Sequence, residues 1–273
     1  MRGRTFFPEM RPRRSKEDSH MIIDIRNAAL TYQSPEGEVE AIKNISFTVD
    51  EGEFVSLVGP SGCGKSTLLS LIAGLEKPTG GEILVEGEPV TAPSPKVGYM
   101  PQKDQLFQWR TIWSNVTLGL QIRKENGWNN RMKVRELLRR YELEDFSQKL
   151  PSQLSGGMRQ RCALIRTLAA GPEILLLDEP FSALDYQTRL SVSADIFRKI
   201  KQEHKTALLV THDISEAISM SDRVIVLSHR PASVVAEHDL SDFTALSPME
   251  RRNSENFRTV FNEIWKELEN DAG

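Results

Sequence analysis

The stretch FVSLVGPSGCGKSTLLSLIAG, Phe54 to Gly74, constrains the fold of this chain more than any other. Phe54 to Gly59 is a short apolar run that reads as a buried strand, and Leu68 to Gly74 is compatible with a helix. Between them lies a glycine-rich loop made of Gly59, Pro60, Ser61, Gly62, Cys63, Gly64, Lys65, Ser66 and Thr67. Gly59, four intervening residues, then Gly64, Lys65 and Ser66 is the spacing of a loop whose backbone N–H groups close around phosphate oxygens. In that setting Lys65 neutralises the β- and γ-phosphates, Ser66 binds magnesium, and the helix N-terminus adds its partial positive charge. Cys63 lies against the same cationic helix start, which favours attack on its thiol by alkylating reagents.

Two further apolar runs supply partners for this site. ILLLDEP, from Ile174, reads as a central parallel strand buried on both faces, ending in Asp178 and Glu179 at the edge where ligands bind. Asp178 is placed to hold hydrated magnesium and Glu179 to polarise the attacking water. A strand ending in Asp-Glu is by itself often a solvated turn; the phosphate loop favours the chemical reading. TALLVTH ends in His212 and is expected beside the carboxylate strand, within reach of the γ-phosphate. Tyr32, in ALTYQ, has two readings that spacing leaves open: packing, or a stacking surface for adenine.

A second glycine loop, LSGGMRQR, spans Leu154 to Arg161. Ser155, Gly156 and Gly157 precede a run of good helix formers with Ala163, Leu164, Leu168 and Ala169 as its apolar positions. Those residues describe a helix N-terminus with a hydroxyl and exposed N–H groups, either a plain cap or an anion site. One nucleotide needs one phosphate cradle, and Asp104 to Gln153 reads as a mostly helical lobe that carries the second loop away from the first. If the second loop holds anything, the economical arrangement is a symmetric pair in which each copy closes on the other's nucleotide.

The order and spacing of GPSGCGKST, Gln102 in GYMPQKDQ, LSGGMRQR, ILLLDEP, SALD at Ser182 to Asp185 and VTHD at Val210 to Asp213 resemble the nucleotide-binding subunit of ATP-binding-cassette transporters. The resemblance runs from about Met21 to Leu240 and implies an α/β fold: a P-loop NTPase core with a mixed sheet, an antiparallel β part, and a helical lobe carrying the signature loop. It implies an ATPase that binds ATP and Mg2+ in a head-to-tail dimer, each nucleotide held between one copy's phosphate loop and the other's signature loop. It puts Tyr32 at the adenine, Gln102 at the magnesium and attacking water, Asp185 at the contact across the dimer, and His212 at the γ-phosphate switch position. Met158 stands where glutamine is commoner; the phosphate contacts come from Ser155 and the glycines, so activity is expected to survive.

Composition sets the partners. The chain has 273 residues, a formal net charge of -3 and two cysteines, which gives no general electrostatic case for nucleic-acid binding and no zinc cluster or disulfide framework. Its apolar runs are too short to span a bilayer, so the transport pathway is expected on separate permease subunits, with this chain at the cytoplasmic face of the membrane. Residues 1–20 lack the apolar core of a secretory signal and read as a mobile basic tail, with an arm touching anionic lipid or nucleic acid as the alternative. The ATPase domain is expected over 21–240, with the helical lobe inserted at about 104–168 and a helical extension over 241–273. In the lobe, the basic run Arg131 to Arg140 has helical spacing, with Met132, Leu137 and Leu138 as candidates for its inner face.

LFQWRTIWSNV, from Leu106, and LSHRPASVVAEHDL, from Leu227, are similar to the ATPases of the nitrate, sulfonate and taurine importer group. Relatives handling thiamine-precursor pyrimidines look much the same. That resemblance implies uptake of a small solute, delivered indirectly by a solute-binding protein; an exporter, a lipoprotein-release ATPase or a soluble non-transport ATPase shares the same motifs. Phe107, Trp109 and Trp113 fit either the core of the lobe or an apolar groove gripping a short helix of the membrane partner. Ser247 to Asn270 reads as an amphipathic helix with Phe257, Val260, Phe261, Ile264 and Leu268 on the face that packs on its own domain.

Overall fold

The computed structural model describes residues 20–35 and 37–270, so the basic tail expected over 1–20 lies outside the described residues except for His20. Two sheets form the frame. β1 (Met21–Ser34), β2 (Gly37–Asp50), β4 (Gly80–Val85) and β5 (Glu88–Pro89) make an antiparallel sheet in the order β2-β1-β4-β5. β3 (Phe54–Val58), β6 (Val97–Met100), β7 (Ile174–Asp178), β8 (Thr206–Val210), β9 (Arg223–Leu227) and β10 (Val234–Asp239) make a second sheet in the order β10-β9-β3-β8-β7-β6. Only β10 runs antiparallel to its neighbour there.

The continuous apolar runs of β3, β7 and β8 follow from burial on both faces. With side chains alternating along each strand, Val55, Leu57, Ile174, Leu176, Leu208 and Val210 pack toward the antiparallel sheet and α1 (Lys65–Ile72). Their alternates Phe54, Leu175, Leu177, Ala207 and Leu209 pack toward the helices on the other side. Those helices are α2 (Ile112–Val116), α3 (Leu118–Ile122), α4 (Trp128–Arg140), α5 (Gly156–Ala169) and α6 (Tyr186–Gln202).

Two sequence expectations are corrected here. In α4 the buried residues are Val134, Leu137 and Leu138, while Met132 is 40% exposed. Val134, Leu137, Leu138 and the buried Tyr141 follow the i, i+3, i+4, i+7 pattern of one helix face, and Met132 is out of phase with them. The C-terminal segment is two helices rather than one: α8 (Pro248–Arg252), opened by a Ser247–Glu250 capping box, and α9 (Glu255–Asn270). The Ser254 hydroxyl and N–H both bond to Arg251 O, taking the carbonyl that a continuing helix would use. The expected face of α9 does pack inward, with Ile264 buried and Phe257, Val260, Phe261 and Leu268 half-buried.

That extension seals α7 (Ile214–Met220), the helix that follows His212. Arg251 is 0% exposed and its guanidinium donates to Ile218 O, Ser221 O and Leu246 O, with the Phe197 ring 5.1 Å away. Burial pushes the guanidinium down to about 10, so it stays charged at neutral pH and serves the carbonyl end of α7 as a cation. Arg251→Met leaves those carbonyls unpaired and is expected to lower stability by roughly 2 kcal/mol. The check is the urea midpoint of the full chain, read at unchanged slope; an unmoved midpoint would show that the guanidinium adds no net stability.

Candidate functional site

The strands that end at the site are aligned by their ladders: Leu57 and Asp178 both face Val210, and Met100 faces Leu177. Five chain segments leave this edge, and four of them carry the candidate residues: the phosphate loop, Pro101–Gln102, Glu179 and Thr211–His212, the fifth being the β9–β10 turn. A register slip in any one would carry its polar residue out of the group.

The phosphate loop has glycine where space or conformation demands it. A Cβ on Gly59 would stand 2.9 Å from Leu227 O, and Gly64 takes φ 125° with Ala41 O 2.9 Å from where its Cβ would be. Lys65 opens α1, and its buried ammonium donates to Gly59 O and Pro60 O, both at 2.7 Å, and to Cys63 Sγ at 3.7 Å. Ser61, Gly62 and Ser66 are exposed, and Pro60, Gly64 and Thr67 are partly so. Cys63 is only 2% exposed, so the access that alkylation of its thiol needs is not offered in this conformation. Tyr32, in β1, keeps an exposed ring while its hydroxyl donates to Glu76 at 2.7 Å, so its orientation is fixed beside the start of α1.

Asp178 and Glu179 are neighbours with opposite environments. Asp178 is 2% exposed, and its Oδ1 has no hydrogen-bond partner. Burial pushes its carboxyl above the usual aspartate range, with the Ser66 hydroxyl beside it opposing the shift. Glu179 adopts φ 45°, a conformation that costs an L-residue about 1–2 kcal/mol. It is held there by its own N–H on Val210 O and by Gln160 and Ser182, which donate to its carbonyl at 3.3 and 3.1 Å. The bend points the carboxylate between two polar side chains: Gln102 Nε2 donates to Oε2 at 3.0 Å, and His212 Nδ1 lies 3.2 Å from Oε1. Gln102, Asp178, Glu179 and His212 therefore converge beside the phosphate loop.

The second glycine loop is built as a helix start. Ser155 caps α5, its Oγ accepting from Met158 N at 3.3 Å, and Ser155 and Gly156 are exposed. Gly157 sits in a crowded place, where a Cβ would stand 3.2 Å from Ala183 O and Leu184 Cδ2 and could be taken only if those neighbours shifted. Asp185 caps α6 through Thr188 N at 3.0 Å, a bond that holds its carboxyl below the usual range. The hydrogen bonds of Ser155 and Asp185 are thus local, and both residues face outward from one chain.

Several contributors lie in or near the quoted motifs but were given no role by the sequence. Arg230 donates to Gly62 O and ties the β9–β10 turn to the phosphate loop. Gln160, a buried polar residue of α5, also reaches Gln102 O at 3.5 Å. Arg159 pairs with Asp104 at 2.9 Å, and Arg166 donates to Asp104 O and Gln105 O, fastening the segment after Gln102 to α5. The three aromatics differ in burial. Trp113 packs on the lobe core, with Arg131 and Arg135 over its ring. Phe107 and Trp109 are exposed, Trp109 at 76%, with ring centroids 5.1 Å apart.

Comparison with known proteins agrees with this geometry. The ABC transporter family model matches residues 42–182. An uncharacterized ABC transporter ATP-binding protein of Bacillus subtilis, YtlC, is 46% identical over 248 residues, covering 90% of this chain and 95% of that protein. The aliphatic sulfonates import ATP-binding protein SsuB of Bacillus cereus is 37% identical over 252 residues, covering 91% and 96%. The ATP-binding cassette MJ0796, solved as a dimer in a post-hydrolysis state bound to ADP and Pi, superposes with a TM-score of 0.73 at 36% identity, covering 80% of this chain and 98% of that one. The family model over residues 42–182 and the relatives matched along most of the chain show that it belongs to the ATP-binding-cassette transporter family as one of its ATPases.

Proposed function

We propose that this chain is the ATP-hydrolysing subunit of an importer for a small solute, of the nitrate, sulfonate or taurine kind or a thiamine-precursor pyrimidine. It works at the cytoplasmic face of the membrane, with separate permease subunits and, through them, a solute-binding protein. The observation that carries the reading is 37% identity to an import ATP-binding protein across 91% of this chain. Among the described residues no helix is long and apolar enough to cross a membrane, which is consistent with a permease on other chains. The exposed Phe107–Trp109 pair, five and seven residues after Gln102, offers that permease an apolar contact next to a residue bonded to Glu179.

In this reading Tyr32 stacks on adenine, and the backbone N–H groups of Gly59 to Thr67 with the Lys65 ammonium hold the phosphates. The chemistry of the donor set fits magnesium: Asp178 presents a buried oxygen without a partner beside the Ser66 hydroxyl, and Gln102 has an amide oxygen to add. Bound there, Mg2+ would neutralise charge on the β- and γ-phosphates. Glu179 takes the proton from the attacking water, while Gln102 and His212 hold its carboxylate in place. Ser155, Gly156 and Gly157 close on the nucleotide of a second copy in a head-to-tail pair, and Asp185 touches that copy. A chain of two outward-facing loop starts needs such a partner to form one complete site.

The importer role is tested by purifying the tagged chain from detergent-solubilised membranes of its source and reconstituting the complex. Permease subunits should accompany it, and ATPase should rise several-fold with binding protein loaded with one of the named solutes. Turnover indifferent to every solute would overturn the import reading.

The chemistry yields three further expectations. Glu179→Gln should keep ATP binding and slow hydrolysis roughly 10²–10⁴-fold, measured as kcat and as nucleotide retained by the purified protein. Asp178→Asn should do something different. Because burial raises the folded-state pKa of Asp178, its stabilising contribution is present at low pH and lost as pH rises through that value, so at neutral pH the ionised group is a burden on the fold. The variant should melt higher than the parent without nucleotide, by about 1 kcal/mol in stability, yet lose the extra stabilisation that MgATP gives over ATP with chelator. A lower melt without nucleotide would refute it. For the pair, a mixed dimer of Lys65→Ala and Ser155→Arg chains places both lesions in one composite site and leaves the other intact. ATP occlusion or turnover above either single mutant is expected; none would reject the head-to-tail arrangement.

A further inference from the structure

Arg189 lies in the first turn of α6, four residues after Asp185, and its guanidinium bridges two loops that the sequence keeps apart. Nη2 donates to Leu184 O at 3.2 Å, inside the Ser182–Asp185 loop, and Nη1 lies 3.6 Å from Asp213 Oδ2, the residue after His212. Its Nε is buried with no hydrogen-bond partner, although the side chain is partly exposed overall. Asp213 is itself committed to α7, capping it by accepting from Glu216 N at 3.1 Å, and its own N–H goes to Thr211 Oγ1 at 3.0 Å. Glu216 is buried beneath this turn. Burial pushes its carboxyl up to about 7, and the Thr211 hydroxyl, Arg189 and His212 oppose that shift while Asp213 adds to it. Glu179, Ser182, Arg189, His212 and Glu216 line one small cavity of about 10 Å³, at the lower limit for a single water.

We propose that Arg189 is a positioning residue: by gripping Leu184 O and Asp213 together it sets His212 against Glu179, and makes that setting depend on where the Ser182–Asp185 loop lies. The inference rests on the reading that His212 and Glu179 act together on the attacking water. A planar fork suits the task, because it serves a carbonyl and a carboxylate at once in fixed directions, whereas an ammonium on a flexible stem is a single point. Movement of Leu184 would be felt at Asp213, and so at the peptide that carries the imidazole.

The test is a double-mutant cycle on the ATPase activity of the purified full chain, with Arg189→Met, His212→Ala and the double variant. Arg189→Met alone is expected to lower kcat about tenfold or more while KM for ATP stays within about twofold, since neither the phosphate loop nor Tyr32 is touched. In the His212→Ala background the same substitution should cost less than about twofold, because the group it positions is gone. A residue that merely supports the fold would lower both backgrounds by the same factor. If Arg189→Met does not fold, the cycle is run with Arg189→Lys, which keeps the charge and loses the fork. Losses that multiply, or an Arg189 variant with unchanged kcat while His212→Ala is slow, would overturn the positioning role alone. Normal turnover by His212→Ala would overturn the reading of His212 and the proposal together.

Discussion

The parallel ladder at the centre of the larger sheet is the constraint on which the rest depends. β3, β8 and β7 are buried on both faces and locked in a register that brings Leu57, Val210 and Asp178 level. The phosphate loop, Gln102, Asp178, Glu179 and His212 hang from the ends of those strands and their neighbour β6. Side chains alternate along a strand, so a one-residue slip would invert every apolar contact on both faces at once. The two apolar layers therefore protect the register, and the register sets which polar groups meet: Lys65, Gln102, Asp178, Glu179 and His212 span well over a hundred residues of sequence and are neighbours because of it.

Within that frame, adjacent carboxylates are given different work by their surroundings. Asp178, still in the strand, is buried with one oxygen unpartnered, an unfavourable arrangement for an anion unless a cation completes it. Glu179, one residue further, has left the strand through a left-handed conformation and is clamped by hydrogen bonds to its backbone and its carboxylate. Local strain at Glu179 is thus offset by Gln160 from α5, Ser182 from the following loop and Gln102 from the end of β6. With His212 at the end of β8, four separate segments set the position of Glu179.

The sequence showed the site's main groups plainly and its supports hardly at all, for a physical reason. Gly59, Gly64 and Gly157 are legible because a backbone conformation or a close approach disfavours a side chain, and that preference leaves glycines at fixed spacing. The apolar runs ending in Asp178 and His212 are legible because burial on both faces removes polar residues altogether. Arg159, Gln160, Arg166, Arg189 and Arg230 act through hydrogen bonds to distant carbonyls, and a carbonyl is present at every position, so no residue pattern marks the partner. Met132 is hydrophobic but out of phase with the buried face of α4, and α8 and α9 are separate because Ser254 competes for a backbone carbonyl inside an otherwise helical pattern. Cys63 was expected to be reactive from the charge beside it, but its accessibility depends on Gly59 and Lys65 closing over it.

The supports also explain how a small change at the nucleotide could reach a distant surface. Gln102 bonds Glu179 on one side, and two residues later Asp104 is fastened to α5 by Arg159 and, through its carbonyl, by Arg166. α5 starts just after its cap Ser155, and Gly157 in its first turn lies close to Ala183 in the loop that Arg189 grips one residue further on. The segment after Gln102 runs on to the exposed Phe107–Trp109 pair. Most of these links are short, polar and directional hydrogen bonds, which join the Glu179 clamp to both surfaces by contiguous contacts. A shift of the Glu179 clamp would therefore be shared between the second glycine loop and the aromatic pair, the two surfaces that this chain turns outward.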